Sequence, residues 1–259
     1  MGIINATPDS FYPESRTPDA PAIENRALAM LEHGAGMLDV GGYSTRPGAP
    51  EVSPDEEFFR LAKALEAIRK VAPDAVISID TFRADIARRC VEQFGADIIN
   101  DVGGGTLDPA MAETVAELQV PYVLMHMRGT PATMQTLTDY ADVTADIIRD
   151  LAFKADALRM LGVADIIIDP GFGFAKTVGQ NFRLLRELGE FRRMGMPVLA
   201  GLSRKSMIWR ALDTSPTEAL NGTTVLNTIA LLGGADILRV HDVAEAVEAV
   251  RLCNLTLNS

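Results

Sequence analysis

Short apolar runs recur along the chain, separated by longer stretches in which apolar residues return every three or four positions. The runs fall at residues 2–6, 37–41, 75–79, 97–102, 121–125, 165–168, 197–202 and 236–240. Ile166-Ile167-Ile168 is apolar at every position rather than at alternate ones. That is the signature of a strand buried on both faces, as in parallel sheets covered by crossover helices. Between the runs, Phe58, Leu61, Leu65 and Ile68, and again Val143, Ile147, Leu151 and Leu158, keep the helical period. Ser53-Pro54 before Asp55 and Glu56, and Ser215-Pro216 before Thr217 and Glu218, read as helix starts.

Eight such strand–helix units, spaced by the roughly 30 residues one unit needs, predict a single α/β domain over residues 1–259. No Ser/Gly/Pro-rich linker divides the chain, which favours one (β/α)8 TIM barrel over two domains; a doubly wound open sheet is the alternative. In both architectures ligands bind at the carboxyl ends of the strands. The residues expected there are Asn5, Asp39, Asp80, Asn100, His126, Asp169, Ser203 and Arg239 or His241. Singly, each reads equally well as a helix cap or a satisfied polar group, Asp80 before Thr81 and Asp242 before Val243 above all. As a ring they surround one mouth.

Composition narrows the partners. The 259 residues are 47% hydrophobic and 23% charged, enough for a large core, and the net charge of −11 argues against nucleic acid or an anionic membrane. Cys90 and Cys253 belong to no metal-ligand spacing, and no basic leader or membrane-length apolar stretch is present, so the cytoplasm is the expected location.

Basic residues nevertheless cluster after the seventh and eighth strands: Arg204 and Lys205 in GLSRKS, Arg239 and His241 in LRVHD. That is the usual phosphate corner of a barrel and suits an anionic ligand, although Arg204 reads equally well as a salt-bridged surface residue. No glycine directly precedes Lys205, which excludes a P-loop. Opposite this corner, Asp80, Asn100 and Asp169 suit a flat heterocycle carrying N–H and amino donors. Phe174 and Met125 either wall that ring or only pack. The loops NATPDSFYPESR and GGYSTRPGAP have the composition of mobile lids, or simply of turns. The three histidines show no zinc spacing; Mg²⁺ shared between Asn5 and a diphosphate fits better.

Taken together, NATPDSF, STRPG, SIDT, IINDV, MHMRGTP, DPGFGF, SRKS and RVHDV, in that order along the chain, resemble the dihydropteroate synthase family, the sulfonamide targets of folate biosynthesis. The resemblance implies that 4-aminobenzoate displaces diphosphate from (7,8-dihydropterin-6-yl)methyl diphosphate. It implies that Asp80, Asn100, Asp169 and Lys205 hold the pterin, with Met125, Phe174 and Gly201 lining its place. Thr45, Arg239 and His241 take the diphosphate, and Asn5 takes Mg²⁺. Phe11, Arg46, Pro47 and Ser206 complete the 4-aminobenzoate pocket. Asp80, Lys205, Arg239 and His241 carry the chemistry, and a homodimer is implied. The apolar segment 225–232 belongs either to that interface or to the core.

No nucleophile triad is needed, because an aryl amine is neutral and nucleophilic at pH 7; the barrier lies in losing diphosphate and carrying positive charge on the pterin methylene. Three departures from the family pattern stand out. The chain starts at the first strand, so the barrel floor is either trimmed of a covering segment or closed differently. Tyr12-Pro13-Glu14-Ser15-Arg16 replaces a Ser-Asp-Gly-Gly stretch, and Tyr43 stands where an acid often precedes Ser-Thr-Arg-Pro-Gly. A pterin-dependent methyltransferase shares the barrel and the pterin acids without predicting STRPG together with SRKS. A non-catalytic pterin-binding homologue would not keep Thr45, Arg46, Lys205, Arg239 and His241.

Overall fold

The computed structural model describes residues 1–7, 20–44 and 49–257. The apolar runs become strands β1 (Gly2–Asn5), β2 (Leu38–Gly41), β3 (Ile77–Asp80), β4 (Ile98–Asp101), β5 (Tyr122–Met125), β6 (Ile166–Asp169), β7 (Leu199–Ala200) and β8 (Ile237–Leu238). The periodic stretches become helices α1 (Ala20–Glu32), α2 (Pro54–Val71), α3 (Ala84–Phe94), α4 (Met111–Leu118), α5 (Val143–Met160), α6 (Val178–Arg186), α7 (Ser206–Ala211), α8 (Leu220–Leu232) and α9 (Val243–Leu257).

Strands β1 to β6 form one parallel ladder in chain order, and β7 pairs in parallel with β8. Two further joints close the ring. Ile168 N donates to Pro197 O at 2.9 Å, and the Val240 N–H reaches Met1 O at 2.9 Å while Ile3 N reaches Val240 O at 2.9 Å. Parallel bridges pair Ile168 with Val198 and Gly2 with Val240 at the same two places. The sheet is therefore a closed eight-stranded barrel, which leaves no edge unpaired.

Two-residue periodicity then sorts the strand side chains. One set, including Val40, Ile79, Ile99, Leu124 and Ile168, faces outward into the main core against helix positions such as Leu61, Leu65, Ile68, Ile147 and Leu151. The other set faces the lumen. Its lower layer is apolar: Ile98, Val123, Ile167 and Leu199, joined by Met1, Met37 and Ile237, fill the floor. Two residues further along each strand, the same phase delivers Asn100, Met125, Asp169, Gly201 and Arg239 to the top.

Helix α2 starts as expected: Ser53 Oγ accepts the Glu56 N–H at 3.2 Å, and Pro54 opens the first turn. The second expected start is different. Residues Pro216–Glu218 form a single 3-10 turn, and α8 begins at Leu220, because Ser215 Oγ donates to the Glu218 carboxylate at 2.8 Å instead of capping backbone N–H groups. Segment 225–232 divides along its helical faces: Leu226 and Ala230 are buried, whereas Val225, Ile229 and Leu232 are exposed. Among the described residues no helix is long and apolar enough to cross a membrane.

The loop after β4 shows how tightly the top face is drawn together. Asp101 accepts N–H groups from Gly103 and Gly105, each at 2.7 Å, and the Tyr122 hydroxyl at 2.6 Å. Gly104 sits between them at φ +57°, where an added Cβ would lie 2.2 Å from Met125 O. Gly104→Ala is accordingly expected to cost about 3 kcal/mol, combining left-handed strain with displacement of β5. A urea titration checks this as a lowered midpoint at unchanged m-value.

Candidate active site

At the top of the lumen the guanidinium of Arg239 lies between two carboxylates. Its Nε donates to Asp39 Oδ2 and its Nη2 to Asp80 Oδ2, both at 2.6 Å. Asp39 is fully buried and also accepts Ser78 Oγ at 2.6 Å and Asn100 Nδ2 at 3.2 Å to each oxygen. One cation thus serves two acids. Burial pushes the Asp80 carboxyl up to about 7; Arg239 opposes that shift and Asp39 adds to it. Burial works against the Arg239 charge, yet the paired acids, Asp39 first, keep it firmly cationic. Asp80 is a partner of Arg239 and not the cap of α3, whose N-terminal residue Arg83 makes no side-chain cap bond.

Across the mouth, Asp169 ends β6 beside Met125 of β5. Its Oδ1 accepts the Gly171 N–H at 2.7 Å, and burial raises its carboxyl against the pull of Lys205. Lys205 Nζ donates to Phe172 O and lies 4.8 Å from the Phe174 ring centroid. Burial lowers its ammonium to about 8. Gly201 lies close to this lysine, since a Cβ there would sit 3.7 Å from that Nζ, an ordinary contact distance. Met125 packs with Val102, Met127, Met134 and Ala175, and Phe174 lies against this group. Ser206 follows as the first residue of α7.

Two members of the expected basic corner need correction. Arg204 does not face the mouth: its Nε and Nη2 clasp both oxygens of Asp242 at 2.9 Å, and its Nη1 reaches Pro216 O and Thr217 O at 2.9 and 2.7 Å. It locks the β7 loop to the β8 loop, and Asp242 is its counter-ion instead of a cap. His241 is at the corner but carries no charge, because burial first, then Arg239, lowers its imidazolium to about 3. Its backbone N–H donates to Ser203 Oγ at 3.1 Å, and its Nδ1 lies 3.0 Å from the same oxygen. Both bonds are satisfied when Ser203 donates to Nδ1, which puts the ring proton on Nε2. The positive charge of the corner comes from Arg239 and Lys205.

His126 ends β5 but does not meet the mouth. Its Nδ1 is 3.2 Å from the buried Lys176 Nζ, and burial with that neighbour lowers the imidazolium to about 2. Asn5 ends β1, in register with Gly41 of β2. Phe11, Thr45, Arg46 and Pro47 lie outside the described residues, as do Tyr12 to Arg16. Tyr43 is described: its ring meets Phe82 edge-on at 5.2 Å with the Arg83 guanidinium 5.3 Å from its centroid. Nearby, buried Glu57 of α2 pairs with Arg83 and accepts Thr81 Oγ1 at 2.7 Å.

Asp39 was expected at the mouth as a strand-end residue, without a role of its own. Two groups of this region were not singled out from sequence. Ser78 had a usable signal, because it lies in lumen phase two residues before Asp80. Lys176 had none, being one charged residue just after a turn.

The profile of the family described as "Pterin binding enzyme" matches residues 1–241. The dihydropteroate synthase of Synechocystis sp. is 44% identical over 257 residues, covering 98% of this chain and 88% of that protein. The crystal structure of Yersinia pestis dihydropteroate synthase in a sulfonamide drug complex superposes with a TM-score of 0.94 at 37% identity, covering 99% of this chain and 93% of that one. Xanthomonas albilineans dihydropteroate synthase with 4-aminobenzoic acid gives a TM-score of 0.90 at 37% identity, covering 100% and 92%.

The Arg204–Asp242 clasp is separable from the mouth. Asp242→Ala strands a buried guanidinium and is expected to cost about 3 kcal/mol, while Arg204→Met with Asp242→Leu recovers most of that loss; thermal unfolding of the two variants measures both.

Proposed function

The chain belongs to the family of pterin-binding enzymes and condenses (7,8-dihydropterin-6-yl)methyl diphosphate with 4-aminobenzoate, and we propose that its barrel mouth divides that work between an acidic half and a basic half. The carrying observation is the convergence of Asp80, Asn100, Asp169, Lys205 and Arg239 on one lumen.

Asp169 accepts hydrogen bonds from the N–H edge of the pterin, helped by Asn100 and Asp80, while Lys205 donates to its carbonyl side. Met125, Phe174 and Gly201 bound the ring. Arg239 and the Nε2–H of neutral His241 bind the diphosphate, with Thr45. Phe11, Arg46, Pro47 and Ser206 form the place of 4-aminobenzoate. In the reaction the amine nitrogen forms a bond to the pterin methylene carbon as the carbon–oxygen bond to diphosphate breaks, and the leaving group departs with that electron pair. The nitrogen then loses its extra proton. Arg239 stabilises the charge gained by diphosphate, and the carboxylates of Asp80 and Asp39 stabilise the positive charge on the methylene. Among the described residues, no side chain of the mouth is given the role of a nucleophile.

Among the described residues no group of three or more His, Cys, Asp or Glu side chains forms a metal cage. A Mg²⁺ ion fits this mouth only as a guest of the diphosphate, with Asn5 supplying an amide oxygen, which matches how Mg²⁺ is usually held. Bound there, it would neutralise charge on the leaving group.

Helices α8 and α9 pack together, and Val225, Ile229 and Leu232 of the first and Leu252 and Leu255 of the second are exposed. These exposed apolar residues support a homodimer. Sedimentation equilibrium is expected to give twice the chain mass, and Ile229→Glu to give the monomer.

The deciding assay is diphosphate release that requires both 4-aminobenzoate and Mg²⁺; turnover with a methyl donor in place of 4-aminobenzoate would favour the methyltransferase reading instead. Asp169→Asn is expected to weaken pterin binding by at least 30-fold, about 2 kcal/mol, and an unchanged dissociation constant removes the role given to it. The pH profile of kcat/KM for the pterin diphosphate follows from the two shifted groups. It should rise as Asp80 ionises near 7 and fall as Lys205 loses its proton near 8, and Lys205→Arg should carry the falling limb to higher pH.

A further inference from the structure

Beneath the Asp169 turn lies a buried lysine that the reaction leaves without a task, its ammonium lowered by burial to about 7. Lys176 is 4% exposed, and its ammonium makes no salt bridge among the described residues. Its three donors meet Gly171 O at 2.8 Å, Phe174 O at 3.0 Å and His126 Nδ1 at 3.2 Å. The third contact requires Nδ1 to be an acceptor, which the neutral state of His126 allows. A buried ammonium is costly, and methionine would fill the same space without that cost. The group is nonetheless wrapped by the one turn that carries Asp169 and Phe174.

The connection to the mouth runs through single peptide units. Gly171 donates its N–H to Asp169 Oδ1 at 2.7 Å and accepts Lys176 on its own carbonyl, so the lysine fixes the residue that fixes the carboxylate. Gly171 has φ +72°, and a Cβ there would lie 2.1 Å from His126 O and 3.3 Å from Lys176 Nζ, which leaves the turn no slack toward this centre. Phe174 O is the second carbonyl held from below, and the Phe174 ring faces Lys205 in the mouth. A further carbonyl of the turn's apex, Phe172 O, takes Lys205 itself. Two lysines therefore divide one turn between them: Lys205 from the substrate side and Lys176 from beneath.

We propose that Lys176 is a positioning residue for the pterin: it holds the 169–174 turn from beneath and thereby aims the Asp169 carboxylate and the Phe174 ring, without touching substrate. This rests on the reading that Asp169 meets the pterin. In this site, substrate orientation depends on carboxylate direction, and a bidentate acceptor tolerates little rotation.

The test compares Lys176→Met, Lys176→Arg and Asp169→Asn in the full-length protein. Binding of 6-hydroxymethylpterin is followed by quenching of its fluorescence, alongside steady-state kinetics in both substrates. Lys176→Met is expected to raise the pterin dissociation constant at least tenfold, and the KM for the pterin diphosphate with it. The kcat at saturation should stay within threefold, and the KM for 4-aminobenzoate should not change. A lysine that only supported the fold would lower the unfolding temperature and the active fraction and leave both KM values alone. If Lys176→Met does not fold, Lys176→Arg decides: it keeps the charge, but its longer planar group cannot meet the same carbonyls, so a rise of at least threefold in the pterin constant is expected. A folded variant that binds pterin within twofold of wild type overturns the proposal, provided Asp169→Asn binds weakly. If Asp169→Asn also binds normally, the pterin assignment of Asp169 falls first.

Discussion

Everything at the mouth of this barrel is arranged around one guanidinium shared by two carboxylates. Arg239 enters the lumen from β8 and is gripped by Asp39 of β2 and Asp80 of β3, so the ion pairs stitch the last strand across the barrel to the second and third. Removing three charges from water is unfavourable, and only short, well-directed contacts offset it. Asp39 has those contacts in surplus, with Ser78 and Asn100 added to Arg239. Asp80 has fewer, and burial raises its carboxyl. Once Asp80 is ionised, the trio carries one negative charge more than positive. A site with that excess favours a partner that becomes positive, and a pterin methylene losing diphosphate does so at the moment of reaction.

The barrel supplies this chemistry by a shift of two residues along each strand. The same lumen phase that buries Ile98, Val123 and Ile167 in the floor brings Asn100, Met125 and Asp169 to the rim. Apolar packing below fixes strand register, and register fixes which polar atoms meet above. A slip of one residue on any strand would exchange the lumen and helix-facing sets, so the floor cluster is as much a determinant of the active site as the acids are.

Most of this was legible in the sequence, for identifiable reasons. Strand positions follow from apolar runs, and Asp169 and Asp80 follow from where those runs stop. The errors have a common origin: sequence shows that a residue is basic or acidic but not which partner neutralises it. Arg204 and Lys205 are adjacent, yet Arg204, at φ +55°, turns outward to Asp242 while Lys205 turns inward. His241 counts as basic in a motif and is neutral once buried. Lys176 was invisible because its partners are backbone carbonyls, and carbonyls have no letter in a sequence. Tyr43 stands in place of an expected acid; the buried acid that holds Arg83 is Glu57, fourteen positions later in α2.

These off-lumen groups share a logic that the mouth alone does not reveal. Glu57 and Arg83 bind the stems of the loop after β2, since Arg83 also donates to Val52 O at 2.8 Å, and through Thr81 they reach the residue next to Asp80. Asp101 gathers the glycine loop after β4, Lys176 holds the turn after β6, and Arg204 with Asp242 joins the loops after β7 and β8. Each is a buried ionisable group bonded mainly to backbone or to an opposite charge, and each lies one layer outside a residue that faces the lumen. Hydrophobic packing could not do this work, because loops carry polar backbone that must be paired wherever it is buried. A buried charge with several fixed partners pairs that backbone and sets its direction at once. The mouth therefore begins the reaction with its dipoles already aimed, and reorganisation is avoided in a region of the barrel built from loops.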